Sequence, residues 1–154
     1  MASAPFDLSG KVALVTGGNG GIGKGIALGL ARAGANIAVV ARNQDKSARA
    51  VAELEALGIQ AVGIRCDVTD VDDVDTAVAA CVERFGGLDI VVNNSGGNVR
   101  KLPHELDLAE WQTVIDVNLT GVFLMSKAAY PEMVKRGGGK VINIGSMMSI
   151  FAHE

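Results

Sequence analysis

Cysteine is scarce here: the two present, Cys66 and Cys81, sit inside apolar patterns with no second Cys or His at ligand spacing. That spacing gives no support to a metal site and leaves both as buried, reduced thiols. His104 and His153 are equally isolated, and neither is assigned a role. No run of Lys and Arg exceeds two residues and the net charge is -3, so the basic footprint that phosphate backbones require is missing and nucleic acid is excluded as a partner. Apolar runs all fall far below membrane-spanning length. Met1 to Leu8 lacks the basic flank and apolar stretch of a signal peptide. These absences predict a cytoplasmic protein with no membrane partner.

What is present suits a globular chain: of 154 residues, 49% are apolar and 20% charged. One domain over 1–154 is expected, with 1–7 as a flexible tail. From Lys11 onward, short β-branched runs alternate with longer helical patterns, which is βαβ construction. Strands are predicted at Val12–Val15, Ile37–Val40, Ala61–Ile64, Asp89–Val92 and Val141–Ile144. Between them, Ile22, Ile26 and Leu30, then Val51, Leu54 and Leu57, then Val71, Val74, Val78 and Val82 recur at helical spacing and are expected to face the sheet. Asp70 suits a helix cap, while Gly34, Gly58, the Gly86-Gly87 pair and the Gly137-Gly138-Gly139 run suit helix ends. A fourth helical region spans Leu106 to Lys135 and breaks in character near Asn118. Right-handed crossovers turn this pattern into an α/β fold: a Rossmann-like doubly wound parallel sheet of expected order 3-2-1-4-5, with ligands beyond the carboxyl ends of its strands.

Directly after the first strand comes Thr16-Gly17-Gly18-Asn19-Gly20-Gly21-Ile22-Gly23, opening into the first helix. Gly18, Gly20 and Gly23 satisfy the dinucleotide pattern, in which missing Cβ atoms let a pyrophosphate approach the helix N-terminus. Free amides and the helix dipole favour the anion. Gly18 to Lys24 also has the spacing of an NTPase phosphate loop, but Gly25 stands where Mg²⁺ coordination requires Ser or Thr.

These residues resemble the short-chain dehydrogenase/reductase family, whose Thr-Gly-x-x-x-Gly-Ile-Gly fingerprint matches Thr16, Gly17, Gly21, Ile22 and Gly23. Cys66-Asp67-Val68 is similar to the family's acidic pair after the third strand, and the resemblance implies that Asp67 and Val68 meet the adenine. Asn93-Asn94-Ser95-Gly96 is similar to its Asn-Asn-Ala-Gly motif, with Ser95 a departure. The resemblance assigns Asn93, Asn94 and Gly96 to the cofactor side, Asn94 also holding strand ends. It makes Asn118 the helix Asn that supports an active-site lysine, and Ser146 the serine that polarises a carbonyl.

An NAD site presents a carboxylate near the end of the second strand, whereas a 2′-phosphate is better met by Arg. Here the residues are Ala41, Arg42 and Asn43, so NADP is expected, while Asp45 leaves NAD possible. In the family a Tyr-x-x-x-Lys motif follows the serine by about a dozen residues, and it is not among these 154 residues. Tyr130 is followed by Lys135 at five residues, not four. The expectation is therefore a chain truncated after the fifth strand relative to the family, which binds NADPH with negligible turnover. Its fifth strand would be an exposed edge, and its full-length parent a homo-oligomer acting on a small carbonyl or alcohol substrate. The stretch from Gly145 to Ser149 and the loop from Gly96 to Arg100 look most like sugar-acid dehydrogenases, with Arg100, Met147 and Met148 candidates to line the substrate cleft. A 3-oxoacyl thioester reductase shares every motif quoted, and a non-catalytic nucleotide-binding or interaction module remains an alternative from another class.

Overall fold

The structure is a computed structural model, and it describes residues 6–146. Met147, Met148, Ser149 and His153 lie outside the described residues, as does most of the segment expected to be a tail. The elements are β1 (Val12–Thr16), α1 (Gly21–Arg32), β2 (Asn36–Ala41), α2 (Gln44–Glu55), β3 (Ala61–Arg65), α3 (Val71–Phe85), β4 (Ile90–Asn93), α4 (Leu108–Ile115), α5 (Gly121–Lys135) and β5 (Lys140–Asn143). All four strand pairings are parallel, and the order is β3-β2-β1-β4-β5, as the crossover rule predicts. Val15 lies level with Val39 on one side and Val92 on the other.

Alternation along the strands creates two cores. Val12 and Leu14 of β1 join Ala38 and Val40 of β2 under α3 and α5, where Val78, Cys81, Met125 and Ala129 close the layer. Ala13 and Val15 join Ile37 and Val39 on the other face, under Ala27 and Ala31 of α1 and Leu54 of α2.

The helix faces differ from the expected stripes. On α1 the buried residues are Gly23, Ala27 and Ala31, whereas Ile22 is 69% exposed and Ile26 and Leu30 pack only at the flank. Small side chains let α1 lie close to the sheet, so closeness of approach, not bulk, selects its inner face. On α2 the buried face is Ser47, Ala50 and Leu54, and Leu57, beyond the helix end, is exposed. On α3, Val74 and Val78 face inward as expected, with Ala77 and Cys81, while Val71 in the first turn is exposed. β5 is exposed along its length among the described residues, unlike the four strands before it.

The helix ends follow the sequence. Asp70 accepts from the Asp73 amide at 2.9 Å, and Gly86 ends α3 at φ 79°, the left-handed conformation that favours glycine. The break near Asn118 is a π-helical turn, Asp116–Thr120, joining α4 to α5.

The amino end of the sheet is closed by a buried charge. Asp89 is 5% exposed; its carboxylate accepts from the Val12 amide at 3.0 Å, Lys11 Nζ at 3.3 Å and Arg136 Nη2 at 3.1 Å. Arg136 also donates to the Gly10 carbonyl at 3.3 Å, so one cluster ties β1, β4 and the end of α5 together.

Candidate functional site

Beyond the carboxyl ends of β1 to β4 lies a cavity of about 350 Å³. Of the residues singled out from sequence, Gly17, Asn19, Arg42, Asn43, Asp67, Val68, Asn94 and Gly96 line it. Strand ends and their loops meet here because every parallel strand delivers its following turn to the same edge.

The Gly-rich turn has an inner and an outer side. A Cβ on Gly23 would collide with Asn94 Nδ2 and stand 2.5 Å from the Gly17 carbonyl, so glycine here permits close packing. Gly17 and Gly21 have positive φ, at 65° and 50°. A Cβ on Gly20 or Gly21 would meet nothing within 4 Å, so these two edges border open space in front of α1. Gly18 packs inward on Val15, and Ile22 is exposed on the first turn of α1.

The start of α1 is also chemically unfinished. The helices α2, α3 and α4 are capped by the side chains of Asn43, Asp70 and Asp107, whereas α1 has no side-chain cap and no acid in its first turn. Its amides therefore face open space with their partial positive charge uncompensated. That is the environment a pyrophosphate requires, so the residues present fit a dinucleotide.

Around this cradle the polar side chains lock the turns together. Thr16 Oγ1 accepts from the amides of Asn94 and Ser95, both at 2.9 Å, and Asn94 Nδ2 donates to the Thr16 carbonyl at 3.0 Å. Position 95 thus contributes its backbone, which serine supplies as well as alanine. Asn19 Nδ2 donates to the Asn43 carbonyl and to Ser47 Oγ, each at 3.1 Å, fastening the Gly-rich turn to the start of α2.

Asn93 is placed differently from Asn94. It is buried at 3% exposure, lines no part of the cavity, and donates to Asn143 Oδ1 at 2.9 Å and Ser126 Oγ at 3.1 Å. It ties β4 to β5 and α5.

Arg42 and Asp67 face each other across the lip at 3.9 Å, with the Arg42 side chain 75% exposed. Asp67 Oδ1 accepts from the amide and hydroxyl of Thr69, at 3.1 and 2.8 Å; the backbone bond chiefly holds the Asp67 carboxyl below its usual range, with the Thr69 hydroxyl and Arg42 assisting against desolvation. Cys66 lines the floor of the cavity. Its thiol is pushed up to about 12 by burial and by the nearby carboxylates of Asp73 and Asp67, so it is protonated and unreactive.

Asn118 sits on the π-helical turn and grips the loop after β4. Its Nδ2 donates to the Gly97 carbonyl at 2.7 Å and the Val114 carbonyl at 2.8 Å, and its Oδ1 accepts from the Gly97 amide at 3.2 Å. A Cβ on Gly96 would lie 2.8 Å from that oxygen. Ser146 follows β5 by three residues and is exposed. Tyr130 and Lys135 belong to exposed positions on α5, with Lys135 paired to Glu132 at 2.7 Å, and neither lines the cavity. Sequence reasoning missed Lys46 and Val117, which do line it. Lys46 was readable as the third residue beyond a capping Asn; Val117 adjoins the singled-out Asn118.

A model of the short chain dehydrogenase family matches residues 11–153. The chain belongs to that family. Short-chain dehydrogenases are nicotinamide-dependent oxidoreductases, in agreement with the uncapped helix and open cradle. Over 145 residues, 94% of this chain, it is 44% identical to 2-dehydro-3-deoxy-D-gluconate 5-dehydrogenase of Formosa agariphila, of which it covers 55%. Over 147 residues, 95% of this chain, it is 39% identical to a 3-oxoacyl-[acyl-carrier-protein] reductase of Synechocystis sp., of which it covers 60%. Among solved structures, 7 alpha-hydroxysteroid dehydrogenase complexed with NADH and 7-oxo glycochenodeoxycholic acid superposes with TM-score 0.92 at 36% identity, over 96% of this chain and 58% of that one. This short-chain dehydrogenase thus spans a little over half the length of the relatives it matches. No helix among the described residues is long and apolar enough to cross a membrane.

Proposed function

We propose that this chain is the cofactor-binding part of an NADP-dependent oxidoreductase that interconverts a secondary alcohol and a ketone. The observation that carries this reading is the uncapped start of α1 at the end of a Gly-rich turn whose Gly17 and Asn19 line a cavity together with Arg42. The amides between Gly17 and Gly23 would hold the pyrophosphate, Asp67 and Val68 the adenine, Arg42 the 2′-phosphate, and Asn94 and Gly96 the remainder of the cofactor. When bound, the nicotinamide supplies or accepts the hydride. Ser146 would donate a hydrogen bond to the substrate oxygen, and Asn118 holds Gly97 of the loop after β4 in place. No Tyr-x-x-x-Lys motif stands in these residues, so the expected behaviour of the chain alone is binding without appreciable turnover.

For the substrate we favour a sugar acid: Arg100 is an exposed guanidinium on the loop after β4, suited to a carboxylate, and the relative at 44% identity is named for a gluconate derivative. Self-association is supported by the exposed apolar positions Trp111, Phe123, Tyr130 and Val134 on α4 and α5.

Calorimetric titration tests the reading. NADPH should bind about tenfold tighter than NADH, and Arg42→Ala should cut that preference several-fold while leaving thermal stability unchanged. Absence of binding by either nucleotide to folded protein overturns it.

A further inference from the structure

Arg42 is an obvious cation for a 2′-phosphate, but it already faces a carboxylate, that of Asp67 at 3.9 Å. A phosphate arriving there competes with Asp67. Lys46 is placed otherwise. It stands in the first turn of α2, lines the cofactor cavity with Arg42 and Asn43, and has no ion-pair partner among the described residues.

Lys46 also borders a second hollow, of about 340 Å³, together with Gly20 and Arg49. Lys46, Arg49, Ala50 and Glu53 follow one another at helical spacing and form one face of α2 above that hollow. Lys24 there is neutralised by Glu53 at 2.6 Å, and Arg49 Nε is engaged with the Asp45 carbonyl at 3.3 Å. Asp45, the carboxylate that would suit free ribose hydroxyls, lines neither hollow. Arg49, like Lys46, has no ion pair among the described residues, but it borders only the second hollow, whereas the Lys46 residue borders both, beside the bare edge of Gly20.

Its position is braced. Asn43 Oδ1 accepts from the Lys46 amide at 2.9 Å, and Asn19 fastens the Gly-rich turn to the same Asn43 through its carbonyl at 3.1 Å. The backbone that would carry the pyrophosphate and the backbone that carries Lys46 are thus joined through one residue.

We propose that Lys46 is the principal contact for the cofactor's 2′-phosphate, and so the main residue setting cofactor preference, with Arg42 in a secondary part. The inference rests on the NADP reading above and adds a residue to it. A compact ammonium on a four-carbon stem reaches a phosphate from a range of helix positions without the planar geometry a guanidinium demands.

The experiment is calorimetry on the chain and its Lys46→Ala, Lys46→Arg and Arg42→Ala variants, titrated with NADPH, NADH, adenosine 2′,5′-bisphosphate and inorganic phosphate. Lys46→Ala should weaken NADPH about tenfold, more than Arg42→Ala does, and move NADH by less than about twofold. Lys46→Arg should restore most of the loss. The bisphosphate should follow NADPH across the variants. Full NADPH affinity in Lys46→Ala together with a loss in Arg42→Ala overturns the inference and leaves the NADP reading intact. Inorganic phosphate binding with the same Lys46 dependence also overturns it, because the site is then a free-anion site. Equal affinity of the unaltered chain for NADPH and NADH defeats the NADP reading itself, and the inference with it.

Discussion

The two ends of one sheet treat charge in opposite ways. At the amino end, Asp89 is buried and every neighbouring donor is spent on it: the Val12 amide, Lys11 and Arg136. At the carboxyl end, the amides at the start of α1 have no side-chain cap and Lys46 has no ion-pair partner among the described residues. The first end is satisfied from within and contributes stability. The second is left without a side-chain cap, and in the proposed reading a nucleotide completes it. A folded chain thus separates cohesion from recognition by some 4 or 5 residues of strand, roughly 15 Å at about 3.3 Å per residue.

Substitutions can be aimed at each end in turn. The largest effect is expected where the two functions overlap, at Gly23: its replacement by Ala puts a methyl against the Gly17 carbonyl and Asn94, and should cost about 3 kcal/mol of stability and abolish NADPH binding, measured by denaturant midpoint and calorimetry. Asp89→Ala strands Arg136 and the Val12 amide and should cost about 2 kcal/mol, yet NADPH affinity of the folded fraction should stay within twofold. A parallel loss of affinity in Asp89→Ala would break the separation of the two ends. Gly20→Ala is the converse: φ there is -167°, open to any residue, and the methyl meets no protein atom, so stability should hold while NADPH weakens about tenfold.

The smallest expected effect is an acid dependence. Burial pushes the Asp89 carboxyl up, but bonds from Arg136, Val12 and Lys11 outweigh it and hold the group below its usual range. A carboxylate depressed on folding stabilises the protein above its unfolded value, near about 4, and that contribution is lost as pH falls through the folded value. Denaturant midpoints of the unaltered chain should therefore drop more steeply from pH 5 to pH 3 than those of Asp89→Asn. Some slope should persist in the variant, because Asp67 is depressed as well.

Much of this was readable in advance. Strands β1, β2 and β4 are covered on both faces, so their apolar runs are continuous and visible. The Gly-rich turn declares itself by its place between the first strand and first helix. The helix faces do not, because Gly23, Ala27 and Ala31 carry too little apolar bulk to register as a stripe, although they make the close contact. Asn93 and Asn94 are indistinguishable as letters. Only strand parity sends one into the interior toward Asn143 and the other toward Thr16. Lys46 could be placed in the first turn after Asn43 but not on a face, since the outward face of α2 was not defined until Ser47, Ala50 and Leu54 were seen to face in.

The π-helical turn at Asp116–Thr120 has a last consequence, for sequence length. Such a turn holds one residue more than an α-helix needs over the same rise. Unlike a deletion in a regular α-helix, which would turn everything downstream by about 100°, deleting a single residue there would let the α-helical ladder close with the downstream residues facing as before. Met125, Ala129 and Met133 would then stay on the sheet, and the loss would fall on Asn118 and its hold on Gly97. The extra residue is therefore not needed to aim α5 at the sheet; what it provides is the seat of Asn118.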